Sequence, residues 1–173
     1  SPQVQGIAYS VSTGKEIARH SWQLESREAS LFAFLGQAVY IRDCVGAGPG
    51  CSASLWLPQK KRTLEIETMN FNAYEASELP LTADRWLLVS STGMQALQVD
   101  VARGRILKTF KLKTPGIEED PGAGNFAFLK KNELHIVYGV HAGDTPNTLT
   151  VLRFAINTGQ LLGRDSLPLC AQE

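Results

Sequence analysis

Residues 94–107, MQALQVDVARGRIL, contain the pattern that decides the fold. The apolar residues Leu97, Val99 and Val101 alternate with other residues, as in a β-strand that buries one face. Gly104 follows three residues later, where a tight turn between two strands requires a positive φ that glycine adopts without strain. The segment therefore predicts a strand, a glycine turn and a second strand.

The same pattern occurs around two other glycines, Gly14 and Gly159. Apolar residues precede each glycine by seven, five and three positions, as Ile7, Tyr9 and Val11 precede Gly14, and they resume three positions after it. A degenerate copy in residues 54–71 has a proline and three basic residues at its turn, and Phe-Ala-Phe-Leu at 32–35 recurs at 126–129. Internal repeats of about 45 residues with four short strands each are typical of β-propeller blades.

Residues 94–107 resemble the quinoprotein-type repeat of β-propellers, in which an apolar strand and an Asp precede a Thr-Gly-Lys turn. The resemblance covers most of the chain at the level of the blade. Quinoprotein repeats place a Trp soon after the glycine to dock neighbouring blades, and the corresponding stretches here have none. The resemblance therefore implies the fold, and no cofactor is predicted.

We expect one all-β domain over residues 1–173, a small or incomplete β-propeller of about three four-stranded blades plus an N-terminal hairpin. The hairpin strands are predicted at 5–12 and 15–24. The blade strands are predicted at 31–35, 38–43, 53–57 and 62–71, at 74–79, 86–90, 94–101 and 105–112, and at 126–129, 133–140, 148–156 and 160–169. Three arrangements are compatible with this prediction: an open ring, a small propeller closed by the hairpin, and a fragment of a longer chain.

The composition argues against two classes of partner. The chain carries 17 basic and 17 acidic residues, so it lacks the basic excess that nucleic acid and anionic membranes attract. No apolar run approaches the 18 residues of a membrane-spanning helix, and we expect no membrane insertion. Hydrophobic residues make up 43% of the chain, which is enough for a sizeable core.

Cys44 and Cys51 flank a glycine-rich loop between two strands that are predicted to lie side by side. Their Cα atoms would approach within the ~5–6 Å that a disulfide needs. The alternative is two unlinked thiols, and Cys170 is left over in either case. A disulfide would indicate a periplasmic or secreted protein, because such bonds persist in oxidising compartments.

The sequence contains no recognisable catalytic or metal site, and its long loops are the better candidates for function. In a propeller the loops between the second and third strands of each blade share one face with the blade connectors, and long loops on a rigid scaffold commonly bind partners. We therefore expect another protein to bind at residues Ser90, Ser91, Thr92, Gly93, His141 and Asp144.

These features predict a non-enzymatic, extracytoplasmic protein that binds another protein. The size and the incomplete propeller resemble immunity proteins that protect bacteria from peptidoglycan-cleaving amidase effectors of the type VI secretion system. In that family a serine-bearing loop enters the cysteine–histidine cleft of the effector, and the resemblance implies this role for Ser90, Ser91, Thr92 and Gly93. Two alternatives remain: a piece of a quinoprotein-like or hydrolytic propeller enzyme, and an envelope assembly scaffold that binds through strand edges or blade sides.

Overall fold

The computed structural model of the chain describes residues 3–24, 30–44, 51–66, 76–90, 94–112, 126–140 and 148–168. Within these ranges the protein has fourteen β-strands, one short 3₁₀ turn at Pro58–Lys60 and no α-helix. The strands group in chain order into one hairpin and three four-stranded sheets, and every pairing is antiparallel.

The hairpin consists of β1 (Gln3–Tyr9) and β2 (Glu16–Gln23). The first sheet contains β3 (Ser30–Leu35), β4 (Ala38–Cys44), β5 (Cys51–Leu57) and β6 (Arg62–Ile66). The second contains β7 (Ala76–Pro80), β8 (Arg85–Ser90), β9 (Gln95–Asp100) and β10 (Arg105–Lys111). The third contains β11 (Phe126–Lys130), β12 (Glu133–Val140), β13 (Thr148–Ala155) and β14 (Leu161–Pro168).

This architecture confirms the all-β class and the grouping into an N-terminal hairpin and three four-stranded sheets. Each sheet is an up-and-down meander, because every strand pairs with its neighbour in the chain. The strand bounds agree with the expected ones to within a few residues, as at β1, which was expected at 5–12 and spans Gln3–Tyr9. The expected strand residues 67–71, 74–75 and 169 lie outside the described residues. Closure of the sheets into a propeller ring stays a prediction.

Three apolar clusters hold the hairpin and the sheets together in chain order. Trp56, Ile41 and Leu24 form the first cluster with residues of the hairpin. The second cluster joins the first and second sheets around the fully buried Leu55 and Leu88, and the third joins the second and third sheets around Leu87 and Ile136. Strands β7 and β11, the first strands of adjacent sheets, also contact each other.

The three repeat glycines have the positive φ that the sequence predicts: 67° at Gly14, 62° at Gly104 and 70° at Gly159. Their surroundings differ. A Cβ at Gly104 would lie 2.8 Å from Leu57 Cδ1 in the first sheet, and a Cβ at Gly159 would lie 2.7 Å from the Lys111 carbonyl oxygen in the second sheet. A Cβ at Gly14 would meet nothing within 4 Å. The later turns therefore pack against the preceding sheet, while the hairpin turn is open.

The repeated Phe-Ala-Phe-Leu segments are not structurally equivalent. The turn after β3 separates Leu35 from Ala38, whereas the turn after β11 separates Lys130 from Glu133, one residue later relative to the repeat. A shift of one residue turns the side chains of a strand to the opposite face. Ala33 consequently packs toward the following sheet, and Ala127 packs toward the preceding one.

Candidate functional site

The hairpin end of the protein is built from an incomplete sheet. Strand β1 pairs with β2 on one side, and no described strand pairs with its other edge. Its sequence, QVQGIAY, contains no charged residue and no proline over seven residues. Edge strands usually carry such residues to prevent pairing with other chains, so the sequence of β1 is compatible with the addition of a strand at this edge.

Two phenylalanines on β3 lie on the side of the first sheet that faces the hairpin. Phe32 pairs with Ile41 across the strands, and its ring meets that of Trp22 edge-on at 6.0 Å between centroids. Phe34 pairs with Val39, which packs against the same apolar cluster as the hairpin. Phe34 nevertheless remains 79% exposed and Phe32 39% exposed. These two side chains form an aromatic patch that the two hairpin strands leave uncovered.

The outward face of the hairpin is uncovered as well. Val99 and Val101 are buried between the first and second sheets, whereas the residues at the same repeat positions, Tyr9 and Val11, are 56% and 104% exposed. The pattern that forms the core elsewhere therefore faces solvent at the hairpin end. Exposed apolar groups that are clustered in this way typically mark an interaction surface.

The inward face of the hairpin is firmly packed. Val4, Gly6 and Ala8 alternate along β1 and face the first sheet, and a Cβ at Gly6 would lie 2.8 Å from ring atoms of both Trp22 and Trp56. Glycine at this position lets the two indoles approach the backbone closely. The edge of β1 is thus held in a fixed position on the first sheet.

Hydrogen bonds tie β1 to β2 on the outward face. Arg19 donates to both carboxylate oxygens of Glu16, at 3.1 and 2.8 Å, and to Gln5 Oε1 at 2.9 Å. The hydrogen bond from Arg19 lowers the pKa of the Glu16 carboxyl, and the same contact raises the pKa of Arg19. Charge on the hairpin is therefore concentrated on β2 and away from the free edge of β1.

Ionisable groups also lie between the first and second sheets. Tyr40, on β4, is fully buried, and neither its hydroxyl nor the Oε1 atom of Glu78, on β7, has a hydrogen-bond partner among the described residues. Burial raises the pKa of both groups, and the nearby Arg42 opposes the increase. Neither Tyr40 nor Glu78 lines a described cavity, so we expect these two groups to affect the pH dependence of the protein's stability.

A cleft at the turn ends of the first and second sheets has a volume of about 120 Å³ and is lined by residues of both, including Gln37, Lys60, Asp84 and Ala102. Pockets for small organic ligands usually exceed roughly 300 Å³. An adjoining region of about 370 Å³ is more open to solvent and includes Asp100. The hydrogen bond from the Arg103 backbone N–H, at 2.8 Å, is the main cause that lowers the pKa of Asp100. Because the turn ends meet here, the strand ends at Cys44 and Ser90 lie at the opposite end of these two sheets.

One of the expected partner-binding residues is located differently from the prediction. Ser90 ends strand β8, pairs with Gln95 across the sheet and is fully buried, so its assignment to an exposed turn is corrected. The apolar alternation that continues from Trp86 carries Ser90 into the sheet. Ser91, Thr92, Gly93, His141 and Asp144 lie outside the described residues, and their role stays a prediction.

Cys44 and Cys51 are direct partners in the register of β4 and β5. The Cα atoms of opposite residues in antiparallel strands are roughly 4.5–5.5 Å apart, within the range of a disulfide. No disulfide occurs among the side chains that the structure describes, and those of Cys44 and Cys51 lie outside them. The disulfide therefore stays a prediction that the register favours.

The two histidines in the described ranges, His20 and His135, stack on aromatic rings and contact polar side chains of the fold. His20 stacks on Trp56 and lies 3.3 Å from Thr63 Oγ1, and His135 stacks on Phe128 with Nε2 3.3 Å from Glu133 Oε2. No group of three or more His, Cys, Asp or Glu that could hold a metal ion occurs among the described residues. Within the same ranges, no helix is long and apolar enough to cross a membrane.

The sequence analysis did not identify the hairpin end as a site. The repeat pattern around Gly14 places Tyr9 and Val11 at the positions of core residues, and only the structure shows that they are exposed. No protein-family model matches the chain, and no curated protein sequence matches it. The geometry of the hairpin end therefore carries the functional argument.

Proposed function

We propose that the protein is a non-enzymatic binding protein whose hairpin end holds another protein. The observation that carries the proposal is the uncharged free edge of β1 on the same side of the first sheet as the exposed Phe34. A strand edge supplies backbone hydrogen bonds and an adjacent aromatic side chain supplies a hydrophobic anchor, which together are the usual elements of strand-based recognition.

The more specific proposal is that the partner is a secreted peptidoglycan amidase and that the protein inhibits it in the periplasm. It rests on the resemblance to immunity proteins. In this arrangement the hydroxyl of Ser91 or Thr92 would hydrogen-bond the catalytic histidine and block the substrate cleft. One hydrogen bond contributes only ~1 kcal/mol net, so most of the affinity would come from apolar contacts such as those available at the hairpin end. A Cys44–Cys51 disulfide would suit the same compartment.

The envelope scaffold remains the second candidate, and the free edge of β1 favours it because a scaffold of this kind binds through strand edges. Both candidates are protein-binding functions and differ in the partner and in the surface used. Inhibition of an amidase requires the loop of residues 91–93, whereas assembly of envelope proteins does not.

Affinity capture from an envelope extract tests these proposals, with three variants beside the parent. Phe34→Glu places a charge in the aromatic patch, and Phe126→Glu is the matched control because Phe126 is an equally apolar, 53% exposed residue on a first strand, in the third sheet. Thr92→Arg alters the loop.

We expect the parent and Phe126→Glu to retain one stoichiometric partner protein and Phe34→Glu to lose it. Loss with Thr92→Arg as well, together with amidase activity in the captured protein, supports the inhibitor. Retention of the partner by Phe34→Glu contradicts binding at the hairpin end.

A further inference from the structure

We propose that the turn end of the first and second sheets carries a second binding site, which takes an acidic peptide segment of another protein. The site consists of the cleft of about 120 Å³ and the adjoining region of about 370 Å³, whose linings share Asp84 and Ala102. It uses none of the residues of the hairpin end and goes beyond the function proposed above. Its charge, its rigidity and its size specify the ligand.

Positive charge is concentrated at this end of the molecule, although the chain as a whole is neutral. The turns of the first and second sheets and the strand residues beside them carry two acidic side chains, those of Asp84 and Asp100, against six basic ones: Lys60, Lys61, Arg62, Arg85, Arg103 and Arg105. The segments that connect the opposite ends of the strands, residues 25–29, 45–50, 67–75, 91–93, 113–125 and 141–147, contain eight acidic and two basic residues. The six basic and two acidic side chains give the turn end a net charge of +4, which attracts an anionic ligand.

Most of this charge is not compensated within the fold. Of the six cations, only Arg103 forms an ion pair with a described residue, through Nη1 at 3.2 Å from Asp100 Oδ2. Asp100 is buried and also accepts the Arg103 backbone N–H, so the charge of its carboxylate is satisfied internally. Lys60 and Arg85 line the site without such a partner and are exposed to solvent. These two side chains are therefore available to a ligand.

The lining of the site is held in place by hydrogen bonds between turns. The Val101 N–H donates to the Asp84 carbonyl oxygen at 2.9 Å and joins the two turns of the second sheet. Arg62 Nη2 in the first sheet donates to the carbonyl oxygens of Arg103 and Gly104, each at 2.7 Å, and joins the two sheets. A site that is already ordered loses less conformational entropy when a flexible peptide binds to it.

The polar groups and the dimensions of the site match peptide carboxylates. The guanidinium groups of Arg85 and Arg103 have the planar fork that pairs with a carboxylate. In the cleft, the side-chain amides of Gln37 and Gln59 add hydrogen-bonding groups beside Lys60. The cleft has room for about four water molecules at ~30 Å³ each, which is comparable with one acidic side chain. The larger region has room for the neighbouring residues of the segment.

Two other sources of negative charge fit the site less well. No aromatic side chain occurs among the described residues that line the site, so a nucleic acid base has no ring on which to stack. The acidic segments of this chain begin at the opposite ends of strands of five to eight residues, roughly 17–26 Å from the turns at ~3.3 Å per residue. We therefore assign the site to a segment of another protein.

Fluorescence anisotropy with a labelled oligoglutamate peptide tests the site. The peptide is titrated into the intact protein at physiological ionic strength, and an oligoglutamine peptide of the same length is the control without charge. We expect saturable binding of oligoglutamate and no binding of oligoglutamine. The binding of oligoglutamate should weaken as salt is added, because salt screens charges that are exposed to solvent.

Charge-reversal variants separate the site from the general charge of the turn end. Lys60→Glu and Arg85→Glu change exposed lining residues, and Lys130→Glu is the matched control on an exposed lysine next to a turn of the third sheet. We expect each lining variant to weaken binding by about tenfold or more. Lys130→Glu should leave it within about threefold, because neighbouring sheets lie ~10 Å apart and charges are screened over ~8 Å. Asp84→Asn should tighten binding, since it removes the exposed carboxylate from the lining.

Absence of saturable binding, equal weakening by Lys60→Glu and Lys130→Glu, or weaker binding by Asp84→Asn overturns the proposal. Equally tight binding of a single-stranded oligonucleotide or of phosphatidylglycerol vesicles also overturns it, because it would assign the site to phosphate groups. Two further results would assign the site to this chain instead of another protein and would overturn the proposal. They are tighter peptide binding after the acidic residues 118–120 are replaced by their amides, and self-association of the parent protein that Lys60→Glu abolishes.

Discussion

Replacement of the three repeat glycines by alanine should have graded effects on stability. All three have φ near +65°, so alanine introduces the same backbone strain of roughly 1–2 kcal/mol at each position. They differ in what the new methyl group meets. The series therefore measures whether each turn packs against a preceding sheet, which is the difference between a complete repeat and the hairpin.

The magnitudes follow from the contacts. At Gly14 the methyl group meets open space, and only the strain of about 1–2 kcal/mol remains. At Gly104 the methyl group would approach Arg62 Nη2 to 2.6 Å and displace the Arg62 side chain. This side chain donates hydrogen bonds of 2.7 Å to the carbonyl oxygens of Arg103 and Gly104, and their loss adds about 1 kcal/mol to the destabilisation. At Gly159 it would approach a backbone oxygen that cannot rotate away, which adds roughly 1–3 kcal/mol.

Urea unfolding monitored by tryptophan fluorescence measures the three free energies of unfolding with a common slope. We expect Gly159→Ala to be the least stable, Gly104→Ala intermediate and Gly14→Ala closest to the parent. A loss at Gly14 as large as that at Gly159 would refute the reasoning, because it would mean that the hairpin turn packs against another part of the molecule.

Three further predictions concern the interior and the cysteines. Burial raises the pKa of Glu78, so the parent should lose stability relative to Glu78→Gln as the pH rises above about 4.5, the usual pKa of this group. Melting temperatures of the two proteins between pH 4 and 8 measure this loss. A difference in melting temperature that does not change with pH would contradict the prediction. Ser90→Arg should unfold the protein, since it buries an unpaired charge. Thr13→Arg should leave the melting temperature unchanged, because Thr13 is exposed. A stable Ser90→Arg protein would mean that Ser90 is accessible to solvent. Thiol counting under denaturing, non-reducing conditions should find one free thiol, that of Cys170. A count of three free thiols would show that Cys44 and Cys51 form no disulfide.

Sequence periodicity was sufficient to locate the strands because one-sided burial leaves an alternating pattern. The glycines at 14, 104 and 159 marked the turns correctly, since a positive φ at a tight turn strongly favours glycine. The pairing register of individual strands was harder to predict from the sequence. The Phe-Ala-Phe-Leu repeat gave no sign that its second copy is shifted, because the shift depends on where the following turn begins.

The candidate site was harder to predict because it is defined by what the sheets leave uncovered. Tyr9 and Val11 look like core residues in the sequence, and only the arrangement of the sheets shows them exposed. Ser90 illustrates the converse case: a small polar residue beside a turn suggested exposure, whereas the continuation of β8 buries it. Local patterns specify strands, but exposure depends on which sheets are neighbours.

Hydrogen–deuterium exchange on the complex with the captured partner tests the central claim most directly. The claim is that the partner binds at the hairpin end, through the edge of β1 and the aromatic patch of Phe32 and Phe34. We predict that binding slows exchange in residues 3–9 and 32–35 and leaves residues 161–168, on the exposed β14, unchanged. Protection confined to residues 91–93 and 141–147, with unchanged exchange in β1, would contradict the claim and place the interface on the loops.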